Sequence, residues 1–302
     1  MELIDTIILE GGGVKAVAYA GVASALQEYN IYENLRTLIG SSAGSIGCTC
    51  MAIGYSPEEL SDVLNGTDFK KFKDPGGYFG ALTELNNLRT TWGIYSTDYL
   101  YTWLGNLINS KTNNPDITFS ELYTLYHKNL IITATNLSKS NTLFFNYKNT
   151  PDVPIRLAVR ASSSIFLFYP PVIYNGDYLI DGGTIDNYAI TYNEINLSKS
   201  IGFRFSNDGL CTIDRSFNTL NEYIDNFIGL LLAKANIENM TPKTWSRTVT
   251  IDTLVSATNF NITEEEKKEL VDEAYNKTIL FLKSNSNFRY NGKHTSMKNW
   301  SM

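Results

Sequence analysis

Histidine is nearly missing from this chain of 302 residues: His127 and His294 are the two present. Cysteine is almost as rare, at three, and no C-x-x-C pair occurs. Cys48 and Cys50 lie two apart, a spacing that a helix places on different faces, so they read as small buried residues. A structural zinc site and a disulfide scaffold are thereby excluded, and the odd cysteine count points to a reducing compartment. Positive charge is short as well. The 25 Lys and Arg against 31 Asp and Glu leave a net charge of −6 with no basic block. That balance argues against a nucleic-acid partner and gives no general attraction to anionic lipid. Long hydrophobic runs are absent too: the densest, residues 228–233, is six residues, against the ~20 a bilayer span requires. The chain opens Met-Glu-Leu-Ile-Asp, with acids where a secretory signal carries basic residues. A cytoplasmic protein, or one peripheral at membranes, is expected.

What is present is globular in kind. Hydrophobic residues make up 43% and charged residues 19%, and a chain this long buries roughly 75% of its unfolded surface. The apolar run at 7–9 predicts a buried strand, and Glu10-Gly11-Gly12-Gly13 a turn. Residues 14–28 carry a helical stripe, and 38–39 a short second strand. Residues 42–51 are small and apolar, suited to a helix packed tightly on a sheet. Strand–turn–helix twice over predicts an α/β fold, a mainly parallel sheet flanked by helices.

Residues 57–128 read as a helical cap insertion within a first domain spanning 1–210. It opens on Ser56 as N-cap, with Pro57 in the first turn and acids Glu58 and Glu59 behind it. Further helices are predicted over 97–108, 120–127 and 154–164, and strands over 130–135, 143–145, 178–181 and 201–205. Residues 211–302 form a mainly helical C-terminal region packed on the first. There Leu220, Tyr223, Ile224, Phe227, Ile228, Leu231 and Leu232 make a stripe expected to be a core helix. A strand is expected over 249–251, and a Thr263-x-x-Glu266 capping box opens a last helix to about residue 283.

Three short motifs could carry chemistry. Gly40-Ser41-Ser42-Ala43-Gly44 is a G-x-S-x-G between a strand and a small-residue helix, the setting of a nucleophile elbow. Its plain alternative is a Gly/Ser turn that caps the helix. Gly11-Gly12-Gly13-Val14-Lys15 also lies between strand and helix. Its N–H groups could hold an oxyanion, with Lys15 touching phosphate or supporting the loop. The same loop matches a dinucleotide fingerprint as Gly11-x-Gly13-x-x-Ala16, with Glu28 or Glu33 near the place of a ribose-binding acid. Asp181-Gly182-Gly183 ends a strand where α/β active sites gather, although Asp-Gly is also a common turn. Neither His127 nor His294 is well placed for a triad, and Asp181 acting directly on Ser42 would need no histidine.

Taken together, the sequence resembles the patatin-like phospholipases. The likeness rests on Glu10-Gly-Gly-Gly-Val-Lys15, Gly40-Ser-Ser-Ala-Gly44 and Asp181-Gly182-Gly183, with Arg160-Ala-Ser-Ser-Ser164 and Tyr169-Pro170-Pro171-Val172 ahead of the aspartate. It covers roughly residues 4–205. Ala16 departs from the family's closing glycine, Glu10 from its leading aspartate, and Asp186-Asn187-Tyr188-Ala189 from its usual continuation. The resemblance implies Ser42 as nucleophile, Asp181 as its dyad partner, and Gly11, Gly12 and Gly13 as the oxyanion hole. It implies no cofactor and no metal. The partners expected are a phospholipid or another lipid ester with peripheral membrane contact; a protein activator stays open. The rival expectations are a dinucleotide-binding protein on the 11–16 loop and an inactive lipid-binding module on the same fold.

Overall fold

The computed structural model describes residues 3–74, 81–206 and 240–285, together with Tyr223, Asn226, Phe227 and Leu230. The first strand, β1 (Thr6–Leu9), is buried along its whole length. Alternation along it feeds two cores: Ile7 and Leu9 join the larger apolar cluster, and Ile8 the smaller one behind the sheet. Around it stand β2 (Thr37–Ser41), β3 (Asn129–Asn136), β4 (Asn141–Phe145), β5 (Val172–Tyr174), β6 (Asp177–Asp181), β7 (Ser200–Ser206) and β8 (Thr248–Asp252). The order is β5-β6-β3-β2-β1-β7-β8, with β4 also on β3. Along β3-β2-β1-β7-β8 every neighbouring pair is parallel; the β3–β4, β3–β6 and β5–β6 pairings are antiparallel. The sheet is mainly parallel, as expected, with antiparallel pairings at the β4–β6 side, and its parallel part holds β1 and β2 at its centre.

The helices are α1 (Ala18–Glu28), α2 (Ala43–Ala52), α3 (Pro57–Gly66), α4 (Ala81–Thr91), α5 (Asp98–Thr112), α6 (Phe119–Tyr126), α7 (Ile155–Ser162), α8 (Pro242–Trp245) and α9 (Glu264–Ser284). Local chemistry explains several ends. Ser56 and Glu59 form a full capping box on α3, Thr118 and Glu121 one on α6, and Thr263 and Glu266 one on α9. The 57–128 insertion supplies α3 to α6. Of these, α4 is not apparent in the sequence, because Leu82 and Leu85 are exposed rather than patterned toward a core. The β5–β6 hairpin turns on Asn175 and Gly176, both at positive φ (51° and 84°).

Of the stripe expected as a core helix, Tyr223 and Phe227 are described, and both are exposed. Leu220, Ile224, Ile228, Leu231 and Leu232 lie outside the described residues, as does His294. Beyond that stretch β8 extends the sheet, and α9 lies along α1. The two helices meet at Gly21, where an added Cβ would fall 2.1 Å from the Val271 carbonyl oxygen. Helix propensity alone would favour Gly21→Ala by ~1 kcal/mol. The backbone clash reverses the sign: we expect urea unfolding to show Gly21→Ala destabilised by about 1–3 kcal/mol.

Candidate active site

The parallel strands β1 and β2 deliver the glycine loop and the G-x-S-x-G turn to the same edge of the sheet, because Leu9 and Gly40 are paired in register. Ser42 takes φ 48° and ψ −127° between β2 and α2, an unfavourable backbone for a residue with a side chain. Close approach fixes the glycines around it. A Cβ on Gly40 would fall 2.5 Å from the Gly44 carbonyl oxygen, and one on Gly44 2.3 Å from that of Leu9. Only a bare backbone lets α2 start so near β1.

Antiparallel β6 pairs with β3 just beyond the residues that pair with β2, on the same side, and ends at Asp181 next to the end of β2. There the Ser42 hydroxyl donates to Asp181 Oδ2 at 2.5 Å, joining positions 139 residues apart. The other carboxylate oxygen accepts the Gly183 N–H at 2.6 Å. Asp181 is buried, and burial pushes its carboxyl up to about 7, against the opposite pull of the hydrogen bonds from Ser42 and Gly183. A carboxylate so raised sits close to the range useful for a base near neutral pH. His127 is exposed at the C-terminus of α6, ahead of the opposite end of β3. No histidine among the described residues accompanies the pair.

Two features of the site were not foreseen from the motifs. The first is the run Ser162-Ser163-Ser164 at the end of α7. Ser162 Oγ accepts the Ser42 N–H at 2.7 Å, and the Ser164 carbonyl accepts the Asp181 N–H at 2.8 Å. One short segment therefore grips both members of the pair. The second is Asn187, which holds Gly11 from both sides. Its carbonyl accepts the Gly11 N–H at 3.1 Å, and its side-chain amide donates to the Gly11 carbonyl at 3.0 Å.

That grip occupies one of the three glycine N–H groups of the loop. Gly11 abuts Ser42, with an added Cβ 2.8 Å from Ser42 Cβ, but its N–H is already taken. Among the described residues no acceptor meets the N–H of Gly12 or Gly13. Gly13 has φ 55°, so a glycine is needed where the loop turns into its helix. Lys15 turns into the protein interior. It is buried with its ammonium 4.7 Å from the Phe205 ring centroid, and burial lowers it to about 8 against the pull of Glu10. The dinucleotide alternative finds no support in this geometry. Ala257 fills the space over Gly13, Glu28 accepts the Tyr275 hydroxyl at the far end of α1, and Glu33 lies in a short turn before β2.

Beside Ser42 opens a pocket whose wall is largely apolar. Ile46 of α2, Leu64 of α3, Phe72, Leu100 and Trp103 of α5, and Phe260 contribute to it. The 57–128 insertion thus forms one side of the site. Burial of the Asp181 charge has a thermodynamic consequence. A carboxyl raised in the folded state favours folding while it is protonated, below about 4, and loses that contribution as pH rises through about 7. Asp181→Asn removes this loss. Its stability relative to wild type should therefore grow between pH 4 and pH 8, by at most roughly 4 kcal/mol, as read from paired denaturant titrations.

Comparison with known proteins agrees with this architecture. A family model described as patatin-like phospholipase matches residues 7–193. An uncharacterized protein, R571, of Acanthamoeba polyphaga mimivirus is 32% identical over 279 residues, covering 89% of this chain and 90% of its own. A probable lipid hydrolase, 463L, of Invertebrate iridescent virus 6 is 28% identical over 267 residues, covering 86% and 87%. Among solved structures, VipD from Legionella pneumophila superposes with a TM-score of 0.65 at 18% identity, covering 94% of this chain and 67% of its own. ExoU of Pseudomonas aeruginosa, in its complex with SpcU, gives 0.56 at 18% identity over 94% of this chain and 52% of its own. At such identities these two structures speak for the fold.

Proposed function

The chain belongs to the patatin-like phospholipase family, and from that premise we propose that it hydrolyses phospholipids or related lipid esters through an acyl-Ser42 intermediate, with Asp181 as base. The observation that carries this reading is the buried 2.5 Å hydrogen bond from Ser42 to Asp181 beside an apolar pocket. As Ser42 Oγ attacks the ester carbonyl, its proton passes to Asp181 Oδ2. The N–H groups of Gly12 and Gly13 supply the donors for the oxyanion, each such donor being worth roughly 2.7–4 kcal/mol. The N-terminus of α2 adds its dipole beneath the serine. The protonated aspartic acid then returns its proton to the departing alcohol. Water attacks the acyl-serine by the same route and releases a fatty acid.

The pocket selects for the acyl chain by burying it among Leu64, Phe72, Leu100 and Trp103. Of the described residues, no helix is long and apolar enough to cross a membrane. Access to bilayer lipid is therefore assigned to peripheral contact, for which Leu82, Leu85 and Trp92 of the insertion offer exposed apolar surface. An inactive lipid-binding module would have no use for a raised carboxyl bonded to a strained serine.

With a soluble fatty-acyl ester, Ser42→Ala and Asp181→Asn should each lower hydrolysis by several orders of magnitude, and the double variant little further. His127→Gln and His294→Gln should stay within a few-fold of wild type. A folded histidine variant as inactive as Ser42→Ala would overturn the dyad.

The pH profile follows from the carboxyl at about 7. Asp181 must be ionised to accept a proton, so kcat/KM should climb about tenfold per pH unit below 7 and level off above it. A profile flat from pH 5 to 8 would remove Asp181 as the base.

A further inference from the structure

The two peptides that carry the N–H groups of Gly12 and Gly13 are held in different ways. A peptide group is planar and trans, so its C=O and its N–H point in opposite directions. Whatever holds the carbonyl therefore aims the N–H. In the Gly12–Gly13 peptide the Gly12 carbonyl accepts the Lys15 N–H at 3.1 Å, a bond within the loop's own turn. In the Gly11–Gly12 peptide the Gly11 carbonyl accepts the Asn187 side-chain amide at 3.0 Å, from a residue 176 positions away. That peptide lies between two glycines, whose backbone rotates through regions closed to other residues. Asn187 is itself buried and fixed. Its carbonyl accepts the Gly11 N–H at 3.1 Å, and the turn that leads to it is closed by the Asp186 N–H on the Gly182 carbonyl at 3.0 Å. Gly11 is clamped between this residue and the nucleophile: an added Cβ would fall 2.2 Å from Asn187 Oδ1 and 2.8 Å from Ser42 Cβ.

Resting on the ester-hydrolase reading above, we propose that Asn187 is a positioning residue: its side-chain amide holds the Gly11–Gly12 peptide in the orientation that presents the Gly12 N–H to the oxyanion of the tetrahedral intermediate. Turning that peptide over needs a change in two torsions alone, ψ of Gly11 and φ of Gly12. It would put the Gly11 C=O where the Gly12 N–H had been. The negative end of the dipole would then face the oxyanion, so the flipped loop opposes the reaction as well as losing a donor. The bond from Asn187 Nδ2 to the Gly11 carbonyl has to break before the peptide can turn. Negative charge on the reacting oxygen is greatest near the transition state, so the loss falls on kcat more than on binding of the ester. The segment 181–187 thus carries the base at one end and the residue that sets the glycine loop at the other.

The test uses Asn187→Leu, which keeps a branched side chain without the donor, and Asn187→Ala, which removes both. On a soluble fatty-acyl ester each should lower kcat by about 10–100-fold and leave KM within about twofold. Two reversible inhibitors separate aim from packing. With a long-chain trifluoromethyl ketone, Ser42 Oγ adds to the ketone carbon, its proton passes to Asp181, and the ketone oxygen becomes an oxyanion. A fatty alcohol of the same chain length fills the pocket and forms no such adduct. The ketone should bind more weakly by about the factor lost in kcat/KM, and the alcohol by less than about twofold. Both inhibition constants come from one preparation, so an unfolded fraction leaves their ratio unchanged. Equal weakening of the two inhibitors, or wild-type kcat in either variant, overturns the proposal while Ser42→Ala remains inactive. If Ser42→Ala instead keeps wild-type rates, the nucleophile assignment falls and this proposal falls with it.

Discussion

A serine proton held on a buried carboxylate is the interaction around which this molecule is built. In water an aspartate is too weak a base for the purpose, with a reference pKa of ~3.9. Burial of Asp181 raises it to about 7, and burial is a property of the whole fold rather than of one residue. It requires β6 to end under α7, β3 to carry β2 and β6 end to end along one side, and residues 57–128 to help close the pocket. The hydrogen bonds from Ser42 and Gly183 work against the shift. The site is therefore a balance: enough donors to hold the carboxylate in place, few enough to leave it basic.

The surroundings are arranged to keep that balance in register. Ser42 is held in an unfavourable backbone by glycines that admit close packing and by the side chain of Ser162. Asp181 is held by the carbonyl of Ser164, two residues along the same turn. The spacing between nucleophile and base thus depends on a single rigid helix end. On the opposite side Asn187 spends both its backbone and its side chain on Gly11, and among the described residues no acceptor meets the N–H groups of the next two glycines. Lys15 and Glu10 lie under the loop, with Glu10 accepting the Phe205 N–H at 2.5 Å. Both charges are buried within the protein.

How much of this could be read in the sequence divides along a physical line. Ser42, Asp181 and the glycine loop are legible because each sits in a turn whose local backbone demands particular residues. The strands β1, β2 and β3 are legible because burial on both faces makes them continuous apolar runs. The capping boxes at Ser56 and Thr263 are complete within four residues. Helix α4 escaped because its Leu82 and Leu85 face solvent, and β5 because three residues carry no period, although Asn175-Gly176 is itself a hairpin signal. The roles of Ser162, Ser164 and Asn187 were out of reach for a different reason. Each acts on a partner far away in the chain, Asn187 on a glycine 176 residues before it. The fold class and the reacting atoms are local statements; the oxyanion geometry is a long-range one.

The packing of α9 on α1 bears on when the protein becomes able to act. The glycine loop feeds α1, Val14 of that loop donates its N–H to Ala257, and Gly21 of α1 is fitted to the backbone of α9. A ribosome has made both Ser42 and Asp181 long before it reaches residues 257 and 271. Until then α1 can pack on α3 but lacks α9, and closing such long loops is the slow part of assembling a sheet of high contact order. The nascent chain therefore passes through synthesis with Ser42 and Asp181 made and its glycine loop still without Ala257. The support that α9 and Ala257 give the glycine loop is thus the last part of the site to be made.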